Sequence, residues 1–456
     1  MRYLVSLVLI VSTTMQSQTV SLEGVNIVDV ISGTIIKNQN IQLNNDIIQQ
    51  IGPRPFRKSD KRIKLKGKYV IPGLWDMHVH LTNVGKESLP LFITNGIIGV
   101  RDMGGNWKDI KKWKEQKHSY WPTIFSPGPI LESKPFYQLV KQLMGPDFAK
   151  TRIPVPSPER AFEIIDSLNT EGVDFIKVRS AKDMPTLSAI VQFAKKKNLN
   201  VAGHIEANLR MMDALNIHLY SVEHTTFFQL LGAEDSIKES IIESFKSKSP
   251  YFTPTLIATE NSRLNSTAFK DLTAIEKQQL SPELKENWEV FDAIKMLEAP
   301  MKWDSINAIF NEFSKRIVNP ETLLAGTDLG VPGVLTGSSL HKELELLVNR
   351  LDVTNLTALK SATINASKTL GLQSEYGSIE ENKKASLLVL DKNPLENIAN
   401  TRTIYMVIHN GIIIDKEKGI ELTADVENEL NLSRKNYPNS ILDHLKESIK
   451  RMKGNK

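Results

Sequence analysis

Residues 69–81 read Tyr69-Val70-Ile71-Pro72-Gly73-Leu74-Trp75-Asp76-Met77-His78-Val79-His80-Leu81. The apolar run, with its β-branched and aromatic residues, predicts a buried strand. Residues two apart on a strand point to the same side, so His78 and His80 can present both imidazoles to one point in space. This spacing suits a metal site, although an ordinary strand with two polar residues on one face would show the same pattern.

Strand-like and helix-like segments alternate through the centre of the chain, which is typical of parallel β/α units. The candidate strands are residues 69–81, 97–103, 123–130, 174–179, 200–205, 219–225, 251–258 and 322–328. Helical patterns lie between most of them, for instance at residues 161–169, 185–197 and 208–215. Eight such units predict an α/β fold, a (β/α)8 TIM-like barrel with its chemistry at the C-terminal ends of the strands. A doubly wound open sheet is the alternative, but no glycine-rich phosphate loop follows the first strand.

Both ends of the chain carry short β-like segments separated by turn residues. We therefore expect a small composite β-sandwich domain formed by residues 19–70 and 371–425, with the barrel at residues 71–370 between them. A charged helical tail, residues 426–456, follows. Residues 259–320 form a long, polar, helix-patterned insertion between the last two candidate strands, which is a candidate lid or specificity element.

The composition indicates an ordinary globular protein. The chain has 456 residues, of which 41% are hydrophobic and 24% charged, with a formal net charge of +5. The positive excess lies in short runs such as Lys195-Lys196-Lys197 without interleaved aromatic residues, which argues against a nucleic-acid groove. The expected partner is therefore a small-molecule substrate, and a homo-oligomer is left open. Cysteine is absent from the sequence, which excludes disulfides and thiolate ligands.

The first 18 residues have the layout of a secretory signal peptide. Arg2 precedes a short apolar core, and polar residues lead to a cleavage site expected near Ser17 or Gln18. A buried N-terminal strand is the alternative. No other segment approaches ~18 consecutive apolar residues, so we expect an exported protein, periplasmic or secreted, without a membrane span.

Four further candidate strands each end near a residue that can bind or bridge a cation, namely Lys177, His204, His224 and Asp328. The strand ends of a barrel form one ring, so these residues would converge with His78 and His80. Imidazole and carboxylate ligands without thiolates suit zinc and related divalent ions. Each residue also has an ordinary interpretation. A lone strand histidine is most often a hydrogen-bonded core residue, Asp328 could cap a helix, and Lys177 could extend its amine to solvent. Four of the nine histidines at strand ends, with an aspartate at another, favour the metal site.

The set formed by these six residues resembles the amidohydrolase superfamily in its binuclear form with a carboxylated lysine. The similarity includes the opening run at residues 70–80, the Val100-Arg101-Asp102 segment, and a closing pattern at residues 361–367, 377–380 and 385–391. These motifs are similar to those of the imidazolonepropionase-related branch, which includes metal-dependent dipeptidases of the prolidase type. The resemblance implies a distorted (β/α)8 barrel with a β-sandwich built from both termini.

The resemblance also implies a role for each ligand. His78 and His80 would hold the more buried of two divalent ions, most simply Zn²⁺, and His204 and His224 the more exposed one. Lys177, as its CO2-derived carbamate, would bridge the two ions. A free ammonium beside two cations is strongly disfavoured, and carbamate formation turns it into an anionic bridge.

The reaction implied by this site is hydrolysis of an amide or cyclic amide, dipeptides included, by a metal-bridging hydroxide. Two cations lower the pKa of a shared water, and one of them polarises the substrate carbonyl. Asp328 would bind the first ion, accept the water proton and return it to the leaving amine. His204 and His224 must be neutral to act as ligands, so activity is expected to fall as the pH drops through histidine protonation.

Two loops differ from the prolidase-type pattern. Residues 126–133 contain no histidine where those relatives carry a glycine-glycine-histidine turn, and Thr225-Thr226-Phe227-Phe228 lacks their glycine and tyrosine after the sixth-strand histidine. Phe227, Phe228 and Tyr251 are candidates for an apolar substrate pocket, with core packing as the alternative for each.

Two other functions remain open from the sequence. A mononuclear deaminase or cyclic-imidate hydrolase of the same superfamily needs no lysine on the fourth strand, so Lys177 argues against it. A non-catalytic binding protein that keeps the barrel for its shape would not need a complete ligand set.

Overall fold

The computed structural model describes residues 19–204, 211–225, 228–261, 267–295 and 302–454. The predicted signal peptide and Phe227 lie outside the described residues, so export and a substrate role for Phe227 stay predictions.

The strands are short in the centre of the chain and longer near its start. In chain order they are β1 (Thr19–Val28), β2 (Ile35–Asn44), β3 (Ile47–Gly52), β4 (Lys61–Lys64), β5 (Tyr69–Pro72), β6 (Leu74–Val79), β7 (Ile97–Asp102), β8 (Thr123–Phe125), β9 (Ile130–Glu132), β10 (Arg152–Pro154), β11 (Ile176–Val178), β12 (Val201–Gly203), β13 (Ser221–Glu223), β14 (Tyr251–Thr253), β15 (Leu387–Leu390), β16 (Ile404–His409) and β17 (Ile412–Ile414).

The helices follow the strands through the centre and dominate the insertion and the tail. In chain order they are α1 (Pro90–Thr94), α2 (Trp107–Gln116), α3 (Lys134–Ala149), α4 (Pro158–Glu171), α5 (Met184–Lys196), α6 (Met211–Asn216), α7 (Asp235–Lys248), α8 (Leu256–Asn261), α9 (Thr267–Asp271), α10 (Ala274–Gln279), α11 (Pro282–Lys295), α12 (Trp303–Ile317), α13 (Ser338–Leu351), α14 (Asn355–Ser361), α15 (Ile364–Thr369), α16 (Lys416–Asn436) and α17 (Ser440–Gly454). Within the described ranges, none of them is long and apolar enough to cross a membrane.

The two ends of the chain form one β-rich unit. Eight strands join in a single sheet with the order β17-β16-β15-β5-β1-β2-β3, and β4 pairs with β1. The contact between the ends is antiparallel, with Val389 of β15 opposite Val70 of β5. Apolar side chains from both ends, among them Leu22, Ile41 and Ile408, are fully buried in one cluster. The predicted β-rich unit from both termini is confirmed at this level, whereas its packing as a sandwich and its boundaries stay predictions.

The central strands are parallel and lie in two sheets, with the orders β6-β7-β8 and β10-β9-β11-β12-β13-β14. The first candidate strand divides at Gly73, so that β5 joins the sheet of the chain ends and β6 joins the central strands. A Cβ at Gly73 would lie 2.4 Å from Ile98 Cγ2, so only glycine fits at this crossing. The predicted α/β character with parallel strands is confirmed.

Residues 322–328, the last candidate strand, make only isolated bridges. Leu323 pairs with Phe252 of β14, and Leu329 pairs with Val79 of β6, so this segment lies between the two ends of the parallel array. Regular extension is interrupted because Thr327 bonds to a side chain of β6 and Asp328 has a φ of 55°. Gly326 passes close to β6, where a Cβ would lie 2.7 Å from His78 Cβ. Closure into a complete eight-stranded barrel stays a prediction.

A buried histidine in the β-rich unit gives a testable pH dependence. His409 of β16 is 2% exposed and donates from Nε2 to the Trp121 carbonyl at 3.1 Å. Burial lowers the pKa of His409 to about 4, against the opposing effect of that hydrogen bond. Between pH 6.5 and about pH 4, the unfolded chain therefore binds a proton at His409 that the folded chain does not bind. The free energy of unfolding falls as the pH drops below 6.5. The loss from this residue is about 1.5 kcal/mol between pH 6.5 and pH 5.

The measurement is urea unfolding of the wild type and of His409→Asn at both pH values. The variant should show the smaller loss on acidification. His218→Asn, at an exposed position, is the matched control and should follow the wild type. Burial raises the pKa of Glu343 to about 8, so Glu343 makes the protein more stable on acidification and opposes the effect of His409. Because Glu343 is present in both proteins, the difference between variant and wild type isolates His409. Equal losses in His409→Asn and wild type would contradict the prediction.

Candidate metal centre

The six predicted metal ligands meet at the C-terminal ends of the parallel strands. His78 lies on β6, and His80 follows that strand directly. Lys177 lies on β11, His204 follows β12, and His224 follows β13. Asp328 lies beside β6. Sites far apart in the sequence are therefore adjacent in space, as the parallel topology predicts.

Short distances join Asp328 to three histidines. Its Oδ1 lies 3.5 Å from His78 Nε2 and 3.4 Å from His80 Nε2, and its Oδ2 lies 3.8 Å from His224 Nδ1. The ligand atoms of His78, His224 and Asp328 all lie within 4.8 Å of one another. The ring of His204 is 4.4 Å from that of His224, measured between centroids. A divalent ion fits this set of nitrogen and oxygen donors.

Lys177 is buried beside these residues. Lys177 is 2% exposed, and its Nζ has no hydrogen-bond partner among the described residues. Burial lowers the pKa of Lys177 to about 8, with Arg101 and Arg179 adding to the effect and Glu223 opposing it. An unpartnered amine in such a place is costly as an ammonium, which is the condition that favours its neutral, reactive form.

Hydrogen bonds fix which imidazole nitrogen faces the centre. His78 donates from Nδ1 to Glu223 Oε2 at 2.9 Å, and His80 donates from Nδ1 to the Gly104 carbonyl at 3.2 Å. Carboxylate and carbonyl oxygens only accept, so each Nδ1 carries the proton and each Nε2 keeps its lone pair. Burial lowers the pKa of His78 to about 4, and its Nε2 has no hydrogen-bond partner among the described residues. Both features fit a metal ligand held by an outer carboxylate.

Two of the predicted ligands have backbones in the left-handed region. The φ angles are 69° at His224 and 55° at Asp328, and each residue stands where a strand-like segment ends. Such angles are uncommon outside glycine, and they cluster at functional sites because the surrounding structure must hold them. The Thr255 hydroxyl lies 2.7 Å from His224 Nδ1 and contributes to that hold.

Three neighbouring histidines favour the ionised form of Asp328. Burial alone would raise its pKa, but His224, His80 and His78 outweigh burial and hold the pKa of Asp328 well below its usual range. A carboxylate in this state can ligate a cation.

A cavity of about 600 Å³ opens onto this centre. His80, His224 and Asp328 are among its lining residues. The apolar wall of the cavity comes mainly from α3 and α11, with Phe136, Leu139, Val140, Leu143, Met144, Phe148, Val290, Phe291 and Ile294. A mostly apolar lining with a few polar groups is the usual form of a small-molecule site.

The C-terminal tail holds this apolar wall. Leu442 and Leu445 of α17 are buried in one cluster with residues of α3 and α11. The buried Glu286 of α11 accepts hydrogen bonds from the Ile441 and Leu442 amides at 2.9 and 3.0 Å and from the Tyr437 hydroxyl at 2.7 Å. Helices α16 and α17 lie in and before this tail, and α16 already begins at Lys416, inside the segment expected to belong to the β-rich unit.

Comparison with known proteins agrees with this geometry. The family model described as "Amidohydrolase family" matches residues 69–414. The chain belongs to the amidohydrolase family. Membership confirms the predicted family and the predicted class of enzyme, a hydrolase of carbon–nitrogen bonds.

Curated and solved relatives of this amidohydrolase are distant in sequence. Ochratoxinase of Aspergillus niger is 22% identical over 422 residues, which cover 80% of each chain. The solved structure of a Xaa-Pro dipeptidase with bound methionine matches with a TM-score of 0.68 at 21% identity, over 87% of this chain and 100% of that one. A bottromycin amidohydrolase matches with a TM-score of 0.69 at 18% identity, over 94% of each chain. At these identities the structural matches establish the fold: a TIM-barrel-like domain with a β-rich domain.

Sequence reasoning missed the residues that hold the predicted ligands of this amidohydrolase. Arg101 of β7 donates from Nη2 to both oxygens of Glu223 at 2.9 Å and from Nε to the Met77 carbonyl at 2.7 Å. Glu223 in turn accepts from His78, so a buried ion pair stands directly behind a predicted ligand. Glu223 immediately precedes His224, and a charged residue inside a short buried strand was the available signal.

Asp76 and Asp102 support the same region. Asp76 accepts from the Thr327 amide at 3.0 Å and from its hydroxyl at 2.7 Å, which ties β6 to the segment carrying Asp328. Asp102 accepts from the Leu81 amide at 2.9 Å and thereby fixes the chain just after His80. These carboxylates position the backbone around the predicted ligands.

The described aromatic candidates for substrate binding lie elsewhere. Phe228 packs edge-on against Phe310, with ring centroids 5.6 Å apart. Tyr251 begins β14, at the end of that strand away from the centre, and its ring lies 5.2 Å from that of Tyr220. Within the described residues, neither Phe228 nor Tyr251 lines the 600 Å³ cavity, so a substrate role for them stays a prediction without support from that cavity.

Proposed function

We propose that this amidohydrolase cleaves an amide or cyclic amide with two divalent metal ions, zinc being the expected metal, in a closed (β/α)8 barrel. The observation that carries the proposal is the convergence of His78, His224 and Asp328, whose ligand atoms lie within 4.8 Å of one another at the strand ends. The unpartnered His78 Nε2 and Lys177 Nζ add two buried polar atoms that a metal centre would satisfy.

In this proposal His78 and His80 would hold one ion, and His204 and His224 would hold the other. Lys177, as its carbamate, would supply a further anionic ligand, a role that its burial and lowered pKa of about 8 support. When bound, the ions lower the pKa of a water molecule and polarise the scissile carbonyl.

Asp328 carries the proton in the proposed reaction. Its ionised carboxylate lies 3.4 to 3.8 Å from nitrogens of His78, His80 and His224, and this position would let it accept a proton from the attacking water. The same carboxyl then returns that proton to the leaving amine. Burial keeps His78 neutral, and Glu223, itself held by Arg101, orients its ring.

The substrate is proposed to be a small amide with an apolar part, since most of the cavity wall is apolar. One solved relative is described as a Xaa-Pro dipeptidase, which makes dipeptides the first class to screen. N-acyl amino acids and cyclic amides complete the panel. Export after removal of residues 1–18 is part of the proposal and is tested by the N-terminal sequence of the secreted product.

Metal removal gives the direct test of the proposed function. Purified protein is screened on the amide panel as isolated, after chelation, and after reloading with zinc. Chelation is expected to lower the rate at least 100-fold and zinc to restore it, because the ions activate the water and polarise the substrate carbonyl. Elemental analysis should find two ions per chain in the wild type and fewer in Lys177→Ala, which should also be much less active.

The same experiment separates the alternatives. One ion per chain with an undiminished Lys177→Ala variant would replace the binuclear hydrolase with a mononuclear one. Metal-loaded protein that is inert toward every amide and cyclic amide would overturn the proposed activity in favour of a binding role.

A further inference from the structure

Two arginines lie in the cavity wall near the predicted metal centre. Arg152 opens β10 and Arg179 directly follows β11, and both line the 600 Å³ cavity. Arg179 stands two residues after Lys177, so both side chains leave the chain on the same side. Arg179 also contributes to the lowered pKa of Lys177 and of His204, which places its charge near the centre.

Both guanidinium groups share one buried carboxylate. Glu132 of β9 is fully buried, and its Oε1 accepts from Arg152 Nε at 3.1 Å and from Arg179 Nη1 at 3.4 Å. The strands carrying the three residues are neighbours, in the order β10-β9-β11. Two positive charges against one negative charge leave this part of the wall with a net charge of +1.

Aromatic rings of α3 hold the guanidinium planes. Arg179 lies 4.2 Å from the ring centroid of Phe136, and Arg152 lies 4.5 Å from that of Phe148. A stacked guanidinium is fixed in orientation and keeps its N–H groups available in its plane. Among bonds to described residues, Arg179 donates one and Arg152 donates two, out of five N–H groups on each.

The exposed fraction of the side chain differs between Arg152 and Arg179, and this difference indicates which of them would contact a ligand. The Arg152 side chain is 13% exposed, and that of Arg179 is 35% exposed toward the cavity that it lines. Arg179 is therefore the accessible donor, and Arg152 supports the charge behind it.

We propose that Arg179, backed by Arg152, binds a carboxylate of the substrate and selects amides that carry one next to an apolar body. The planar guanidinium matches a carboxylate in a two-point contact, and the net charge of +1 matches a monoanion better than a phosphate dianion. The apolar wall of α3 and α11 receives the rest of the molecule. This inference rests on the proposed function, because it names the substrate class of the same cavity.

The test uses a matched pair of amides, N-benzoyl-leucine and N-benzoyl-leucinol, which differ only by carboxylate against alcohol. Metal-loaded wild type is expected to prefer the carboxylate, and Arg179→Met should raise its KM about 10- to 100-fold. The kcat/KM for the alcohol should fall much less than that for N-benzoyl-leucine, since the alcohol offers Arg179 no anion. Arg179→Lys should recover part of the preference.

Lys182→Met is the matched control, because it removes an exposed positive charge from the loop after the same strand, outside the cavity lining. It should behave as wild type. Equal loss on both amides in Arg179→Met, or no preference in the wild type, would overturn the inference.

If metal-loaded wild type cleaves neither amide, the proposed function fails for this class, and binding still tests the arginine. Calorimetry with N-benzoyl-leucine should then give a Kd at least about tenfold lower for wild type than for Arg179→Met. Equal Kd values, or binding no tighter than that of N-benzoyl-leucinol, would overturn the carboxylate site independently of catalysis.

Discussion

Asp328→Asn is expected to lower kcat/KM for amide hydrolysis about 10²- to 10⁴-fold, the range that a positioned proton-transfer group contributes. The side chain keeps its size but loses its charge and its ability to carry the proton. Asparagine tolerates the left-handed backbone that residue 328 adopts at a φ of 55°, so the fold should persist. Steady-state kinetics on the metal-loaded variant, with its metal content measured in parallel, gives the result.

Asp352→Asn provides a closely matched control. Asp352 also has a φ of 55°, but it is exposed at the end of α13 and pairs with Lys315 on the surface. Its replacement should leave kcat/KM within about twofold of wild type, as expected for a surface pair. Activity of Asp328→Asn within tenfold of wild type, at equal metal content, would show that Asp328 does not carry the proton.

The convergence of the predicted ligands could be foreseen from the sequence because each stands near the end of a strand-like segment. Parallel topology brings such ends together, and it needs only the order of strands and helices to be predicted. That rule places His78 and Asp328, 250 positions apart, in one site, and they lie 3.5 Å apart.

The surroundings of the ligands could not be predicted in the same way. Alternation along a strand tells on which side Arg101 or Glu223 points, but not which residue of another strand it will meet. The pairing of Arg152 and Arg179 with Glu132 depends on three short strands and a stacked helix, and short strands leave weak patterns. Irregularity at residues 322–328 arises from side-chain bonds to β6, which tertiary structure imposes.

Arg101→Met is expected to have the largest effect on stability, lowering the free energy of unfolding by about 3–5 kcal/mol. The Arg101 side chain is 3% exposed and that of Glu223 is fully buried, so removal of the arginine leaves an unpaired charge in the interior. Arg101 also bonds to Ser221 and Thr253 hydroxyls at 3.0 Å, and these partners lose a donor too. Urea unfolding of the metal-free proteins measures the change without a contribution from bound ions.

An exposed ion pair of similar geometry is the control for Arg101→Met. Arg316 donates to both oxygens of Glu239 at 2.7 and 2.6 Å on the surface, so Arg316→Met should lower the free energy of unfolding far less than Arg101→Met does. The double variant Arg101→Met/Glu223→Gln should recover part of the loss, because it removes the buried charge together with its partner.

The same substitution should weaken metal binding, since Glu223 orients His78 and Arg101 holds Glu223. Loss of such a supporting contact costs about 10- to 100-fold in metal affinity, which a competition titration with a chelating dye can measure. The double variant separates the two effects: stability should partly return while metal affinity stays low, because the neutral amide introduced at position 223 no longer offers His78 a charged acceptor. Metal affinity equal to wild type in both variants would show that His78 is held without this pair. The ion pair would then have no role in metal binding.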